Sequence, residues 1–219
     1  MPAKNQESVL RNFLIILVGV VFVFSAPAAT VNTDSLKNLL HLAETDSAKA
    51  ALLVQLATAF ETTDKEKSID YQQQALQFEN EKSNRGAMHN TIGMYYLQGG
   101  LNTEALQYFK KARKIFEEVN DSSMLGRVYN NSGVAAYWLG NSNEALNFYL
   151  RALEIRKPLN DTTGIIKIMN NIGLIYQDWD LYNDALEWHG DALSYALDIN
   201  AYYDLSYTYA NIGKCYENL

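Results

Sequence analysis

The sequence predicts an all-α solenoid in which antiparallel helix pairs stack on one another, and three observations lead to this prediction. Four glycines recur at a spacing of 40 residues, at positions 93, 133, 173 and 213. Each glycine closes a short segment that begins with asparagine, as in Asn130-Asn131-Ser132-Gly133. Between the glycines, apolar residues are spaced three and four apart, which is the periodicity of one helix face. Self-similarity at a fixed period is the sequence signature of a repeat architecture.

Composition and charge exclude several classes of protein. The 219 residues carry a formal net charge of -7, which argues against a nucleic-acid binder, because such proteins neutralise phosphates. Only three prolines are present, and this scarcity favours long uninterrupted helices. The single cysteine, Cys215, excludes an intrachain disulfide and a cysteine-rich metal site.

Residues 1–28 have the pattern of a secretory signal peptide. Lys4 and Arg11 precede an apolar run from Phe13 to Phe24, and the small residues Ala26-Pro27-Ala28 provide a cleavage site. The apolar run is shorter than the roughly 20 residues that span a bilayer. The sequence therefore predicts export, and an uncleaved signal anchor that extends through Ala29 is the alternative.

The helical pattern begins after the signal. Residues 29–45 predict a lead-in helix, with Asp34 as its N-cap and apolar residues at i, i+3, i+4 and i+7 from Leu36. Residues 46–83 predict a shorter and degenerate helix pair, in which Ala57 stands 36 residues before Gly93. Degenerate end units are expected in solenoids, because a terminal unit has one face without a neighbour.

Three regular units and a closing helix follow, at residues 84–121, 122–161, 162–201 and 202–219. In the second helix of each unit, an aromatic residue (Phe109, Tyr149 or His189) lies between two alanines at fixed distances. A helix-interior glycine costs about 1 kcal/mol relative to alanine, and close approach of two helices recovers that cost. We expect the alanines to face the glycines, and Asn141 with Glu144 to form a capping box. The predicted turns lie at Gly99-Gly100, Gly140-Asn141, Asp180, Asn120-Asp121, Asn160-Asp161 and Asn200-Ala201.

At these residues the sequence resembles the tetratricopeptide repeat family. The family pattern of a large residue, Leu-Gly, Tyr, then Ala, an aromatic and Ala is matched by residues of the second regular unit: Tyr129, Ser132-Gly133, Ala136, Ala145, Tyr149 and Ala152. The resemblance covers residues 46–219. It implies a right-handed superhelical α-solenoid, although the period is 40 residues here and about 34 in the family.

A narrower resemblance links the export signal and the 40-residue units to the extracytoplasmic sensory half of bacterial signalling proteins. It implies a periplasmic location, or a membrane anchor with the repeats facing the periplasm. It also implies a role in signal transduction. Two interpretations stay open: a free exported interaction module, or the sensory half of a longer histidine kinase or transcriptional regulator.

The resemblance also implies a binding site for a peptide or protein on the concave face, which the first helix of each unit lines in this family. Carrying the family's groove positions over to this chain gives these candidate residues: Asn90, Arg127, Asn130, Asn131, Tyr137, Lys167, Asn170, Asn171 and Asn211. Side-chain amides suit an extended peptide because each donates and accepts hydrogen bonds. Arginine and lysine suit a carboxylate, and tyrosine supplies amphipathic contact area.

Less specific interpretations of the same residues remain. The asparagines can bond neighbouring helices and fix the stacking angle, and Arg127 and Lys167 can be solvated charges. A second functional hypothesis is an assembly role, through the convex face or through the end at Tyr209–Leu219, that yields an oligomer.

No pattern in the sequence supports an enzyme. His41, His89 and His189 are far apart, and there is no Gly-rich phosphate loop, Gly-x-Ser-x-Gly elbow or His-Glu-x-x-His motif. The basic run Lys110–Lys114 lies on a second helix and is expected to be a solvated face. The sequence therefore predicts no catalytic residue, no metal and no cofactor.

Overall fold

The structure is a computed structural model that describes residues 32–219, and the predicted signal at residues 1–28 lies outside them. Within residues 32–219 all the regular elements are α-helices, which confirms the all-α prediction. In chain order they are α1 (Thr33–Leu42), α2 (Asp46–Phe60), α3 (Lys65–Phe78), α4 (Lys82–Gln98), α5 (Asn102–Glu118), α6 (Ser122–Trp138), α7 (Ser142–Arg156), α8 (Thr162–Asp178), α9 (Tyr182–Asp198) and α10 (Tyr202–Asn218).

The chain divides between Glu79 and Asn80 into two compact units. In the described part of the first unit, α2 packs against both α1 and α3. Leu36, Leu52 and Leu56 form the centre of a small apolar core there. The Ser68 hydroxyl donates a buried hydrogen bond of 2.7 Å to the Ala57 carbonyl, which ties α3 to α2.

The second unit is a stack of helix pairs, as the repeats predict. Helix α4 pairs with α5, α6 with α7, and α8 with α9, while α10 packs against α9 and α8. The first helices α4, α6 and α8 also contact each other in sequence order. Within the second unit they therefore form one continuous surface, which is where the sequence places the candidate binding residues.

The turns recur with the same backbone geometry in each repeat. Within the pairs, Gly100, Gly140 and Asp180 have φ of 77°, 78° and 59°. Between the pairs, the asparagines Asn120, Asn160 and Asn200 have φ of 56°, 53° and 53°. Glycine and asparagine enter this left-handed region most readily, and such a residue ends many helices. The predicted turns are confirmed at all six positions.

In each of the three regular units, an aromatic ring of the second helix packs against the repeat glycine of the first helix. A Cβ added to Gly93 would lie 2.6 Å from Phe109 Cε1, and one added to Gly133 would lie 2.5 Å from Tyr149 Cε1. At Gly173 the same atom would lie 2.4 Å from His189 Cε1. The expected close approach is present, but the prediction that alanines face the glycines is wrong. The ring fits directly onto the glycine, and the buried alanines flank that ring.

Two predicted helix caps differ from the observed ones. Asn32, not Asp34, caps α1, because its Oδ1 accepts from the backbone N–H groups of Asp34 and Ser35 at 3.1 Å each. Asn141 is the N-cap residue of α7, but its side chain accepts no capping hydrogen bond. Capping depends on side-chain rotamers, which residue order alone does not determine.

Candidate functional site

An asparagine ladder crosses the first helices of three consecutive repeats. Asn131 Nδ2 on α6 donates to Asn90 Oδ1 on α4 at 3.0 Å. Asn171 Nδ2 on α8 donates to Asn130 Oδ1 on α6 at 3.4 Å, and the Asn130 and Asn131 amides are joined at 3.5 Å. The ladder shows that these amides bond neighbouring helices. Because an amide offers two donors and two lone pairs, the half-buried members keep capacity for a ligand.

The other two candidate asparagines lie inside the stack. Asn170 is 1% exposed, and its Nδ2 donates to Thr208 Oγ1 at 2.8 Å. Asn211 is buried on α10, and its backbone carbonyl accepts from Gln177 Nε2 at 3.1 Å. Both residues therefore belong to contacts among α8, α9 and α10, as the stacking interpretation of the asparagines describes, rather than to the surface of the first helices.

His189 is the centre of that buried polar network. Its Nδ1 lies 2.9 Å from Asn170 Oδ1, and its Nε2 lies 3.1 Å from Gln177 Nε2. The Asn170 oxygen must accept and the Gln177 nitrogen must donate, so the neutral ring with a proton on Nδ1 satisfies both partners. Burial lowers the pKa of His189 to about 4, which keeps the ring neutral at pH 7. The side chain is a packing residue, as its slot predicts.

Five of the predicted residues line one cavity, which we call the first-helix groove. Its volume is about 290 Å³. Its walls are Asn90, Met94, Arg127, Asn130 and Asn131 from α4 and α6, with Arg156, Asp161, Thr163, Gly164 and Lys167. Arg127 and Lys167 are exposed on α6 and α8, so both cationic ends are accessible from solvent. The groove thus combines amide groups and cations from successive repeats.

An ion pair forms one wall of the groove. The Arg156 guanidinium bonds the carboxylate of Asp161 through Nη1 and Oδ2. The second carboxylate oxygen of Asp161 accepts from the Gly164 N–H at 3.0 Å and so caps α8. Burial lowers the pKa of Arg156, and the nearby positive charge of Arg127 lowers it further. The carboxylate of Asp161 acts in the opposite direction, but the net shift is downward. The groove lining contains three cations and one carboxylate, so its net charge is positive, whereas the net charge of the whole chain is -7.

Sequence reasoning missed Arg156, Asp161 and Gly164 as groove residues. A Cβ on Gly164 would lie 1.7 Å from Arg156 Nη1, so only glycine leaves room for the guanidinium. Alignment of the repeats contains a signal that could have identified Arg156. Arg156 stands 40 residues after Phe116, a fully packed ring, so an arginine replaces an aromatic residue at a core position.

Tyr137 lies outside the groove lining. Its ring is half-buried and meets the exposed ring of Trp138 edge-on, with centroids 5.8 Å apart. Burial, together with a hydrogen bond to Asp178, raises the pKa of Tyr137 to about 12. The hydroxyl is therefore a neutral donor that already has an acceptor on α8. Tyr137 and Asn171 extend the candidate surface beyond the cavity.

Comparison with known families agrees with this geometry. The family model described as tetratricopeptide repeat matches residues 84–157 and 124–198, which together cover more than half of the chain. This chain belongs to the tetratricopeptide repeat family. No curated protein sequence matches it. The repeat assignment made from the glycine spacing is thereby confirmed, and the matched residues include the whole first-helix groove.

Solved structures of other repeat proteins share the fold. The crystal structure of BtubC (BKLC) from P. vanneervenii has a TM-score of 0.74 at 20% identity, covering 87% of this chain and 84% of that one. Aspartyl phosphate phosphatase F from Bacillus subtilis has a TM-score of 0.75 at 18% identity, covering 85% of this chain and 51% of that one. A Rap protein complexed with competence and sporulation factor has a TM-score of 0.65 at 18% identity, covering 84% of this chain and 57% of that one. At these identities the likeness concerns the fold alone.

The described residues hold neither a helix that could span a membrane nor a cluster of side chains that could bind a metal. Among residues 32–219, no helix has the length and apolar character needed to span a bilayer. The same residues contain no cluster of three or more histidine, cysteine, aspartate or glutamate side chains arranged to hold a metal ion.

Proposed function

We propose that this chain is a non-enzymatic interaction module that binds an acidic segment of a peptide or protein in the first-helix groove. The observation that carries the proposal is the meeting of Arg127, Asn131 and Lys167, from successive repeats, in one open cavity. Cations and amides at fixed positions favour a carboxylate and its neighbouring peptide groups. The tetratricopeptide family supports an interaction role, and a Rap protein of this fold has been solved complexed with competence and sporulation factor.

The volume and charge of the groove limit what it holds. A cavity of about 290 Å³ is at the lower end of the range for small-molecule sites, which starts near 300 Å³. It therefore accommodates one or two side chains or a chain terminus, and the rest of the segment lies along the ladder toward Asn171. Asp161 neutralises only Arg156, so Arg127 and Lys167 supply the charge that selects an acidic ligand.

The test uses the intact chain and a displayed library of random peptides. We expect the selected peptides to be enriched in Asp, Glu or a free carboxyl terminus. Titration of the best peptide should show that Arg127→Ala and Lys167→Ala each weaken binding by about 10- to 100-fold, because a hydrogen bond to a charged group contributes about 1.5–3 kcal/mol. Asn131→Ala and Asn171→Ala should each cost about fivefold, as expected for neutral hydrogen bonds.

A matched control separates the groove from general electrostatics. Lys110→Ala and Lys114→Ala remove the same charge from exposed positions on α5 and should leave the affinity within about twofold of the parent, apart from weak screened attraction. Equal losses from the α5 and groove variants, or selection of peptides without acidic residues, would overturn the assignment.

We further propose that the chain is exported to the periplasm, and the support is the signal pattern of residues 1–28. Intact mass and N-terminal sequencing of the protein from its native cell test this proposal. A mature protein beginning near Ala29 supports a free exported module. A much larger membrane-bound species would instead make the groove part of a signalling protein's sensory half, and a species that retains Met1 in the cytosol would contradict export.

A further inference from the structure

The first-helix groove holds more positive charge than its own carboxylate balances. Its three cations are Arg127, Arg156 and Lys167, and its carboxylate is that of Asp161. Asp161 forms an ion pair with Arg156. Within the described part of the chain, neither of the other two cations forms an ion pair. The groove therefore keeps two uncompensated positive charges, on Arg127 and Lys167.

The Asp161 carboxylate has no oxygen left for a further cation. Its Oδ2 accepts from Arg156, and its Oδ1 accepts from the Gly164 N–H at 3.0 Å. Arg156 in turn has more donors than Asp161 takes, because its Nε is buried and has no acceptor among the described residues. Hydrogen-bond donors therefore outnumber the acceptors available on this wall of the groove.

Neutral donors add to the cations. Thr163, in the first turn of α8, lines the groove with its hydroxyl group near the positive end of the helix dipole. Helix N-termini favour phosphate groups for this reason. The amides of Asn90 and Asn131 contribute further N–H groups from α4 and α6. These donors come from different helices and meet only in the folded stack.

We propose that the first-helix groove is a phosphate-binding site, and that the acidic group it selects is a phosphate monoester on the bound segment. The inference rests on the proposed function and narrows its ligand class. A phosphate monoester carries a charge of about -1.5 to -2 at pH 7 and three strong acceptor oxygens. Its charge thus matches the two uncompensated cations, whereas a carboxylate leaves one of them unbalanced. The planar guanidinium of Arg127 suits two phosphate oxygens at once.

Isothermal titration calorimetry of the intact chain with a matched peptide series tests the proposal. The series starts from the best acidic peptide of the displayed library, and each acidic residue is replaced in turn by phosphoserine or by serine. The best phosphoserine peptide should bind about 10- to 100-fold more tightly than its acidic parent, because the second cation gains a charge-assisted hydrogen bond. The serine peptide should bind most weakly.

Variants of the two cations separate charge matching from a structural role. Arg127→Gln or Lys167→Gln leaves one uncompensated cation, so the preference for phosphoserine over the acidic parent should fall toward unity. A loss of structure would instead weaken both peptides by the same factor. Lys157→Gln is the matched control, because Lys157 is exposed beside Arg156 in the chain but does not line the groove. It should change the preference by less than about twofold, as expected for screened charges.

The second ionisation of phosphate gives an independent signature. With a pKa of about 6, the dianion fraction falls about fourfold between about pH 7.5 and about pH 5.5. Affinity for the phosphoserine peptide should fall by a similar factor, whereas the acidic parent keeps its charge. Histidine is absent from the groove lining, and His89 on α4 stays neutral in this range because its pKa is about 4. The ionisable groups that line the groove are Arg127, Arg156, Asp161 and Lys167.

Inorganic phosphate separates the phosphate group from the segment that carries it. It should compete with the phosphoserine peptide and bind more weakly, and its binding should be lost in Arg127→Gln and Lys167→Gln. Binding of inorganic phosphate as tight as that of the peptide would support the phosphate site but assign it to a small phosphate compound, against the proposed function.

Two results would overturn the inference and leave the proposed function in place. One is equal affinity for the phosphoserine peptide and its acidic parent. The other is a preference for phosphoserine that persists in both Arg127→Gln and Lys167→Gln. The displayed library contains no phosphate, so its failure to yield acidic peptides bears on the proposed function alone, and the titrations with inorganic phosphate then decide the phosphate site.

Discussion

Gly133→Ala is expected to destabilise the second unit, although alanine is the better helix former. The new Cβ would lie 2.5 Å from Cε1 and 2.6 Å from Cδ1 of Tyr149, a ring that is almost completely buried. Helix propensity favours the substitution by about 1 kcal/mol. Overpacking a fixed ring costs about 1–3 kcal/mol and sometimes more. The net expectation is a loss of up to about 2 kcal/mol in the free energy of unfolding.

The same substitution at Gly213 provides the internal control. Apart from its chain neighbours and the backbone of its own helix, no described atom lies within 4 Å of the added methyl group, so Gly213→Ala should raise stability by up to about 1 kcal/mol through propensity alone. Urea unfolding followed by circular dichroism compares the two variants. In the double variant Gly133→Ala, Tyr149→Leu the clash is removed, so the two losses should not add. If Gly133→Ala is as stable as Gly213→Ala, the glycine–ring account of the stack is refuted.

Three further predictions concern the polar residues. The pKa of His189 is about 4 in the folded protein, below the usual 6.5, so its contribution to stability is complete above pH 6.5 and falls by about 3 kcal/mol as the pH drops to 4. Urea titrations at several pH values measure this dependence. The variant His189→Phe should show a weaker pH dependence, of which the part due to His89 remains. Gly164→Ala should displace Arg156 and cost about 1–3 kcal/mol in thermal unfolding, with weaker peptide binding. Arg156→Phe removes one partner of the ion pair and leaves the Asp161 carboxylate, 40% exposed, without its cation, so it should lower both the thermal midpoint and the affinity for the selected acidic peptide.

Sequence reasoning succeeded where the determinant of structure is local and repeated. Asn120, Asn160 and Asn200 occupy the same backbone conformation because the left-handed turn selects asparagine or glycine without help from distant residues. The positions of Arg127 and Lys167 on one surface follow for the same reason. Helical spacing and a fixed period are enough to place them on aligned faces of α6 and α8.

Sequence reasoning failed where the determinant is a neighbour's side chain. Asn130 and Asn170 are equivalent in the repeat, yet Asn130 is half-buried on the groove and Asn170 is buried. The difference comes from His189 and Thr208, which enclose Asn170 and bond its amide. His189 replaces the aromatic ring of the other repeats, and Thr208 lies on α10. The asparagine and its position in the repeat therefore do not predict that Asn170 is buried.

One of the three cations of the groove, Arg156, occupies a packing position, whereas Arg127 and Lys167 are exposed. In the first regular repeat a Cβ on Gly86 would lie 2.8 Å from the Phe116 ring, and the same two positions later hold Gly126 with Arg156. In the third repeat they hold Ile166 and Ala196, both fully buried, so the large residue has moved to the other helix. This pair of positions therefore keeps a similar total volume in each repeat, while the residue types differ.

Arg156 fits this packing position because its stem packs like an apolar side chain while its guanidinium reaches the groove, where Asp161 holds it. Core packing and the ion pair fix this wall of the groove before a ligand arrives, which lowers the entropy cost of binding.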